Sequence, residues 1–94
     1  MNNNINEILE QRAKTHGDFR QAARLSQNLK KTIDFFAVGT AISTTQRESL
    51  DMICSKIARI ISGDCNEIDH WRDIAGYALL VVRELESKDD ENKI

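Results

Sequence analysis

Residues 45–62, with the sequence TQRESLDMICSKIARIIS, decide the fold. At about 100° per residue, apolar side chains at three- and four-residue steps lie on one side of a helix. They are Leu50, Ile53, Cys54, Ile57, Ile60 and Ile61. Thr45 and Glu48 have the spacing of a capping box, which predicts a helix start. We expect this third helix to end near Gly63.

A turn, SGDCN, follows at residues 62–66, and Asn66 with Asp69 can cap a fourth helix over residues 67–86. The apolar residues of this helix alternate steps of three and four, which is the pattern of a bundle seam. They are Ile68, Trp71, Ala75, Ala78, Val82 and Leu85. We expect Trp71 in the core and His70 at the surface or as a boundary hydrogen-bonder. The two long helices are predicted to form an antiparallel hairpin.

Two helices are predicted upstream. Residues 6–14 form a short first helix that Gly17 ends, and residues 19–36 carry an apolar stripe that stops at Gly39. The stripe consists of Phe19, Ala22, Leu25, Leu29, Ile33 and Phe36. Either Thr15 with Asp18, or Asp18 alone, caps this second helix. Residues 40–44 are a polar connector.

Composition agrees with an all-α fold. The 94 residues contain 40% hydrophobic residues, 5% aromatic residues and no proline, so long helices can run uninterrupted. We predict a small helical bundle of about four helices built on the hairpin, with one domain at 1–86 and a disordered polar tail at 87–94. A chain this short buries only about 60% of its unfolded surface, which favours a homo-oligomer.

Several classes of protein are disfavoured. No stretch reaches the roughly 18 apolar residues of a membrane span, and the N-terminus lacks the order of a signal peptide, so we expect a cytoplasmic protein without a membrane partner. The net charge of −2 disfavours nucleic acid as a partner, although Arg20, Arg24, Lys30 and Lys31 offer one basic helix. We expect Cys54 and Cys65 to be reduced thiols.

The fourth helix has a second face that differs from a plain solvent-exposed surface, because it combines two acids with a glycine and two large side chains. Its residues are Asp69, Asp73, Gly76, Tyr77 and Leu80. Gly76 costs about 1 kcal/mol in mid-helix, and an outward Leu80 forgoes burial. In one interpretation Gly76 and Leu80 meet another subunit, and the acids are caps or solvated. In the other, the acids hold a divalent cation or a ligand, with Tyr77 beside them.

The hairpin can bring bases of the third helix to this face. Lys56 and Arg59 suit phosphate oxygens, whereas simple inter-helix salt bridges are the structural alternative. The candidate ligand-binding residues are Lys56, Arg59, Asp69, Asp73 and Tyr77. The catalytic residues are not predicted.

Three segments resemble a family of small phage and prophage proteins of uncharacterised function. They are RAKTHGDF at 12–19, RESLDMICSKIARIISGD at 47–64 and DHWRDIAGYA at 69–78. Some members resemble the MazG-type nucleoside triphosphate pyrophosphohydrolases, all-α oligomers that hold Mg²⁺ with an ExxE pair and an ExxD pair. Glu48 and Asp51 match the first pair, but Asp69 and Asp73 are one residue too far apart for the second.

The resemblance implies a phage-type helical binding protein that engages a host protein or captures a nucleotide-like ligand, with a possible anti-defence or host-modulating role and no cofactor. The alternative is a MazG-like pyrophosphohydrolase with Mg²⁺ on Glu48, Asp51, Asp69 and Asp73. The sequence does not distinguish an enzyme from a binding protein, and we expect the working surface on the last two helices.

Overall fold

A computed structural model describes the backbone of residues 3–92 and the side-chain surroundings of residues 4–89. It contains four helices: α1 Asn3–His16, α2 Phe19–Ala37, α3 Thr44–Ser62 and α4 Ile68–Asn92. No strand occurs within residues 3–92. The prediction of an all-α helical bundle is confirmed.

Two short polar side chains start the middle helices. The Asp18 carboxylate accepts a hydrogen bond from the Arg20 amide at 3.2 Å, so Asp18 itself is the N-cap of α2. Ser43 caps α3 and forms a reciprocal capping box with Gln46, at 3.1 and 2.9 Å. The prediction that Thr45 starts α3 was therefore wrong. Residues 43–48 contain two overlapping boxes, and the earlier one adds two residues to the helix.

Glycine ends α1 and α2, as predicted. Gly17 and Gly39 have φ of 78° and 83°, a left-handed conformation that side-chain-bearing residues adopt only at a cost. α4 extends to Asn92, so residues 87–92 are helical where the sequence predicts a tail. Lys88 and Glu84, at 3.2 Å, form an i,i+4 ion pair that supports this last part of the helix.

Helix α3 lies in the middle of the bundle, with α2 on one side and α4 on the other. Arg47 of α3 forms an ion pair with Asp34 of α2, and Lys56 of α3 with Asp73 of α4. The Ser49 hydroxyl donates a hydrogen bond to the Tyr77 carbonyl at 2.8 Å. As the residue number rises along α3, the number of its contact in α4 falls.

The packed face of α4 differs from the predicted seam. The residues turned towards α3 are His70, Ile74, Tyr77, Val81 and Glu84, all buried or half-buried. Their side of the helix is about 100° away from the predicted seam. Trp71 is 55% exposed, so its prediction as a core residue was wrong. The heptad identifies an apolar face but does not say which neighbour meets that face.

The protomer itself has a small core. Its buried hydrophobic residues are Ala22, Cys54, Ala58 and Ile60. The radius of gyration is 16.7 Å, and the extents are 60 × 27 × 26 Å. A compact chain of this length has a radius of gyration of about 12–13 Å. The ends of the predicted α2 stripe, Phe19 and Phe36, are 85% and 73% exposed. Much apolar surface of the chain is therefore accessible.

None of the helices in the described part of the chain is long and apolar enough to cross a membrane.

Candidate functional site

The predicted ligand-binding residues are only partly brought together. Lys56 and Asp73 form an ion pair at 2.8 Å, with the Lys56 side chain only 12% exposed. The hydrogen bond from Lys56 lowers the pKa of Asp73. Tyr77 is half-buried and packs on the α3 side of α4. These contacts correspond to the salt-bridge interpretation of this surface.

The remaining predicted acids have separate surroundings. Asp51 pairs with Arg47 at 3.3 Å, while Asp69 is exposed and lies 3.9 Å from Arg72. Glu48 is exposed. Within the described residues, no group of three or more His, Cys, Asp or Glu side chains is arranged to hold a metal ion. The magnesium set remains a prediction.

The two glycine-aspartate motifs of the sequence, at residues 16–18 and 62–64, are in close backbone contact. We call this contact the glycine junction. A Cβ on Gly63 would lie 2.6 Å from the Gly17 nitrogen, and a Cβ on Gly17 would lie 2.7 Å from the Gly63 nitrogen. The Thr15 carbonyl accepts hydrogen bonds from the Asp64 amide at 3.1 Å and from Nε2 of His70 at 2.9 Å. This junction fixes the end of α1 against the start of α4.

Two histidines lie in the junction. His70 is only 2% exposed, so it is a buried hydrogen-bonder and not a surface residue. His16 meets it edge to face with ring centroids 4.9 Å apart, and Nδ1 of His16 lies 2.6 Å from the Thr15 hydroxyl. Burial, and then the charge of Arg59, lowers the pKa of His16. His16 therefore favours its neutral form in the folded chain.

Beside this junction, α1, α2 and α3 enclose a cleft of about 420 Å³, which we call the basic cleft. This volume is in the range of small-molecule sites, roughly 300–1,000 Å³. The lining residues are Leu9, Arg12, Ala13, His16, Gly17, Phe19, Ala22, Ala23, Ser26, Gln27, Lys30, Ser55 and Arg59. Three of them are arginine or lysine, and none is an acid.

The cations of the basic cleft come from three different helices: Arg12 from α1, Lys30 from α2 and Arg59 from α3. Among the described residues, none of them has a carboxylate within 4.0 Å. Lys30 instead donates a hydrogen bond to the Ser55 hydroxyl at 3.1 Å. Unneutralised cations converging on one space produce a positive potential that attracts anions.

The basic cleft also has an apolar lining. Leu9, Ala13, Ala22 and Ala23 line it, and Phe19 presents an 85% exposed ring. An exposed aromatic face can stack on a planar ring such as a nucleobase. The cleft can therefore contact a charged group and a flat apolar group at the same time.

Sequence reasoning found one of the three cleft cations, Arg59, but assigned it to the face of α4. Arg12 lay inside the quoted motif at 12–19 and Lys30 within a basic pair, yet neither was predicted as a site residue. One feature of the sequence could have identified Lys30: it lies one turn from Ser26, on the side of α2 that faces α3. Arg12 gave no such signal, because its role depends on how α1 docks.

Comparison of the chain with family models, with curated proteins and with solved structures finds no match.

Proposed function

We propose that this chain is a small helical binding protein whose basic cleft captures a nucleotide-like anion. The observation that carries the proposal is the convergence of Arg12, Lys30 and Arg59 on a cleft without acidic lining. Guanidinium groups bind phosphate oxygens through paired, charge-assisted hydrogen bonds. The phage-type, host-directed and cytoplasmic roles expected from the sequence are part of this proposal.

The mixed lining argues for a nucleotide-like ligand over inorganic phosphate. A phosphate chain would take the cations, and a base would lie on the Phe19 ring and the alanine-rich wall of α2. His16 at the edge of the cleft can donate to a phosphate oxygen once it is protonated. The binding residues in this proposal are thus Arg12, Lys30 and Arg59, with Phe19 as the stacking group.

Thermal shift and calorimetry test this directly, because a ligand that binds only the folded chain raises its melting temperature. The panel contains ATP, a cyclic nucleotide, tripolyphosphate and uncharged adenosine. We expect ATP to bind most tightly, tripolyphosphate to bind and adenosine to bind weakly. A flat response across the panel would overturn the proposal and would turn attention to a host protein.

Two matched variants locate the site. Loss of a charge-assisted hydrogen bond costs about 1.5–3 kcal/mol, so Arg59→Gln should weaken ATP binding roughly 10- to 100-fold. Arg72→Gln is the control, since this arginine has a 74% exposed side chain and does not line the cleft. Equal affinities of the two variants would contradict the basic cleft as the binding site.

The MazG-like pyrophosphohydrolase remains the alternative proposal, with Mg²⁺ on Glu48, Asp51, Asp69 and Asp73. Incubation of the same nucleotides with Mg²⁺ or Mn²⁺, followed by detection of pyrophosphate, tests it. Turnover that Asp51→Asn abolishes would support the acidic set. Absence of turnover would leave a binding protein.

The proposal includes self-association, with α3 and α4 as an antiparallel hairpin at its centre. Contacts of Thr45 with Glu84, Ser49 with Tyr77 and Lys56 with Asp73 support that orientation. The small core and the expanded radius of gyration support association, because burial against another copy supplies the missing apolar contact.

A further inference from the structure

Helix α4 carries one regular apolar face that α3 does not cover, and we call it the α4 seam. Its positions alternate steps of three and four over 18 residues: Ile68, Trp71, Ala75, Ala78, Val82 and Leu85. Ile68 and Trp71 are 58% and 55% exposed, and Val82 and Leu85 are each 45% exposed. No charged residue lies within this seam.

The α4 seam is separate from the face that packs in the protomer. In the described part of the chain, α4 packs along its length on α3, through the side that holds His70 and Tyr77, and the same His70 also meets the end of α1. α4 is thus apolar on two sides. The protomer covers only one of these two sides.

The spacing of the α4 seam specifies the second neighbour as a helix. A repeat of 3.5 residues keeps a seam facing a partner helix along its whole length, with each side chain entering a hole between four residues of the partner. A flat protein surface or a bound small molecule requires no such repeat. An uncharged 3-4 repeat over five steps therefore points to a helix of matching length and pattern.

We propose that the occupant is a second copy of this chain, with its α4 antiparallel to the first across a two-fold axis near residues 76 and 77. This rests on the proposed self-association and is independent of the basic cleft. In that arrangement Trp71 of one copy meets Val82 of the other, Ala75 meets Ala78, and Ile68 meets Leu85. A two-fold interface requires this self-complementarity.

Side-chain size favours the antiparallel over the parallel arrangement. A parallel pair places two Trp71 rings in one layer, directly beside a layer of two Ala75 residues. The antiparallel pair sets the large ring against a medium side chain and leaves a narrow alanine layer where the two helices cross. An apolar hollow of about 320 Å³ between α3 and α4, to which α4 contributes Ala78 and Val81, lies beside the seam. The indole N–H of Trp71 is already satisfied by the Cys65 carbonyl at 2.9 Å.

The edges of the α4 seam are also complementary. Leu79, which is 46% exposed, widens the apolar strip on its free side. At the two ends, Glu67 of one copy and Lys88 of the other fall at the same level of the antiparallel pair, and the symmetry makes this contact twice. No like charges are brought together at these flanking positions.

Light scattering on matched variants tests the surface. Val82→Glu places a charge in the α4 seam and should reduce the measured mass from two chains to one. Leu80→Glu is the control, because Leu80 is 55% exposed on the opposite side of α4 and should leave the mass at two chains. The circular dichroism of both variants should stay helical, since neither position is buried in the protomer.

Disulfide trapping tests the orientation without a disruptive charge. Chains with Ala75→Cys and Ala78→Cys, carrying tags of different mass on a Cys65→Ser background, are mixed and oxidised. We expect the crosslink to join the two different chains. An Arg83→Cys chain, with the new thiol away from the seam, is the background control.

The outcomes separate this inference from the proposed self-association. A wild-type chain with the mass of one copy overturns both. A dimer that Leu80→Glu splits and Val82→Glu spares overturns the α4 seam and leaves self-association standing. Crosslinks confined to like chains, Ala75→Cys with itself or Ala78→Cys with itself, overturn the antiparallel arrangement.

Discussion

Gly17 and Gly63 lie so close together that neither has room for a side chain, since a Cβ on either would fall within 2.7 Å of the backbone nitrogen of the other. Because backbone atoms cannot swing aside as a flexible side chain can, this contact sets how α1 meets the turn between α3 and α4.

Alanine at the four glycines should therefore have graded effects. Gly17→Ala combines the clash with a positive φ and should destabilise most, and Gly63→Ala adds the clash alone. Gly39→Ala has open space and should cost only the left-handed strain, about 1–2 kcal/mol. Gly76→Ala, open and in mid-helix, should stabilise by up to about 1 kcal/mol.

Urea denaturation measures the free energy of unfolding of all four variants. Equal losses at Gly17 and Gly39 would contradict the close junction.

The start of α3 gives a second test. Ser43→Ala removes the oxygen that accepts the Gln46 amide and should cost about 1 kcal/mol of unfolding free energy. Thr44→Ala, one residue later on the exposed side, should change it by less than about 0.5 kcal/mol. The reverse order in thermal melts would contradict Ser43 as the cap.

Stability should fall as the pH drops through the titration of His16. Its pKa is lowered in the folded chain, so the unfolded chain binds the proton first, starting near its ordinary value of about 6.5. The urea midpoint should decrease from pH 7.5 to 5.5, and His16→Gln should flatten that decrease. An unchanged slope in the variant would assign the effect to another group.

The Lys56–Asp73 ion pair between α3 and α4 should contribute more to stability than the exposed Arg72–Asp69 pair. Asp73→Asn leaves the Lys56 ammonium, whose side chain is 12% exposed, without a charged partner. Asp69→Asn loses only a 3.9 Å contact with Arg72 on the surface. We expect the larger drop in melting temperature for Asp73→Asn. Because Lys56 lowers the pKa of Asp73, this contribution is present at neutral pH and is lost as acid protonates the carboxylate.

The helices themselves could be predicted, because their signals are local. Gly17 and Gly39 end helices through their own backbone conformation, and Asp18 caps through its own side chain. The faces could not be assigned in the same way. Both sides of α4 carry apolar residues, and the sequence alone does not say whether Trp71 or Tyr77 meets α3.

The basic cleft illustrates the same limit for the site. Lys56 and Asp73 were expected near each other because they lie in consecutive helices joined by a short turn, and they form an ion pair. Arg12 and Arg59 are 47 positions apart by number, and both line the cleft only because the glycine junction fixes α1. Long-range placement of this kind depends on packing and leaves no periodic pattern in the sequence.

The junction also implies an order of folding. The hydrogen bond between Thr15 and His70 spans 55 positions, whereas the bonds between α2 and α3 and between α3 and α4 span 25 to 29. Closing the longer loop costs more chain entropy, so α2, α3 and α4 should assemble before α1 docks. The basic cleft then forms only when α1 docks, in the last step of folding. An anion bound there would hold α1 in place.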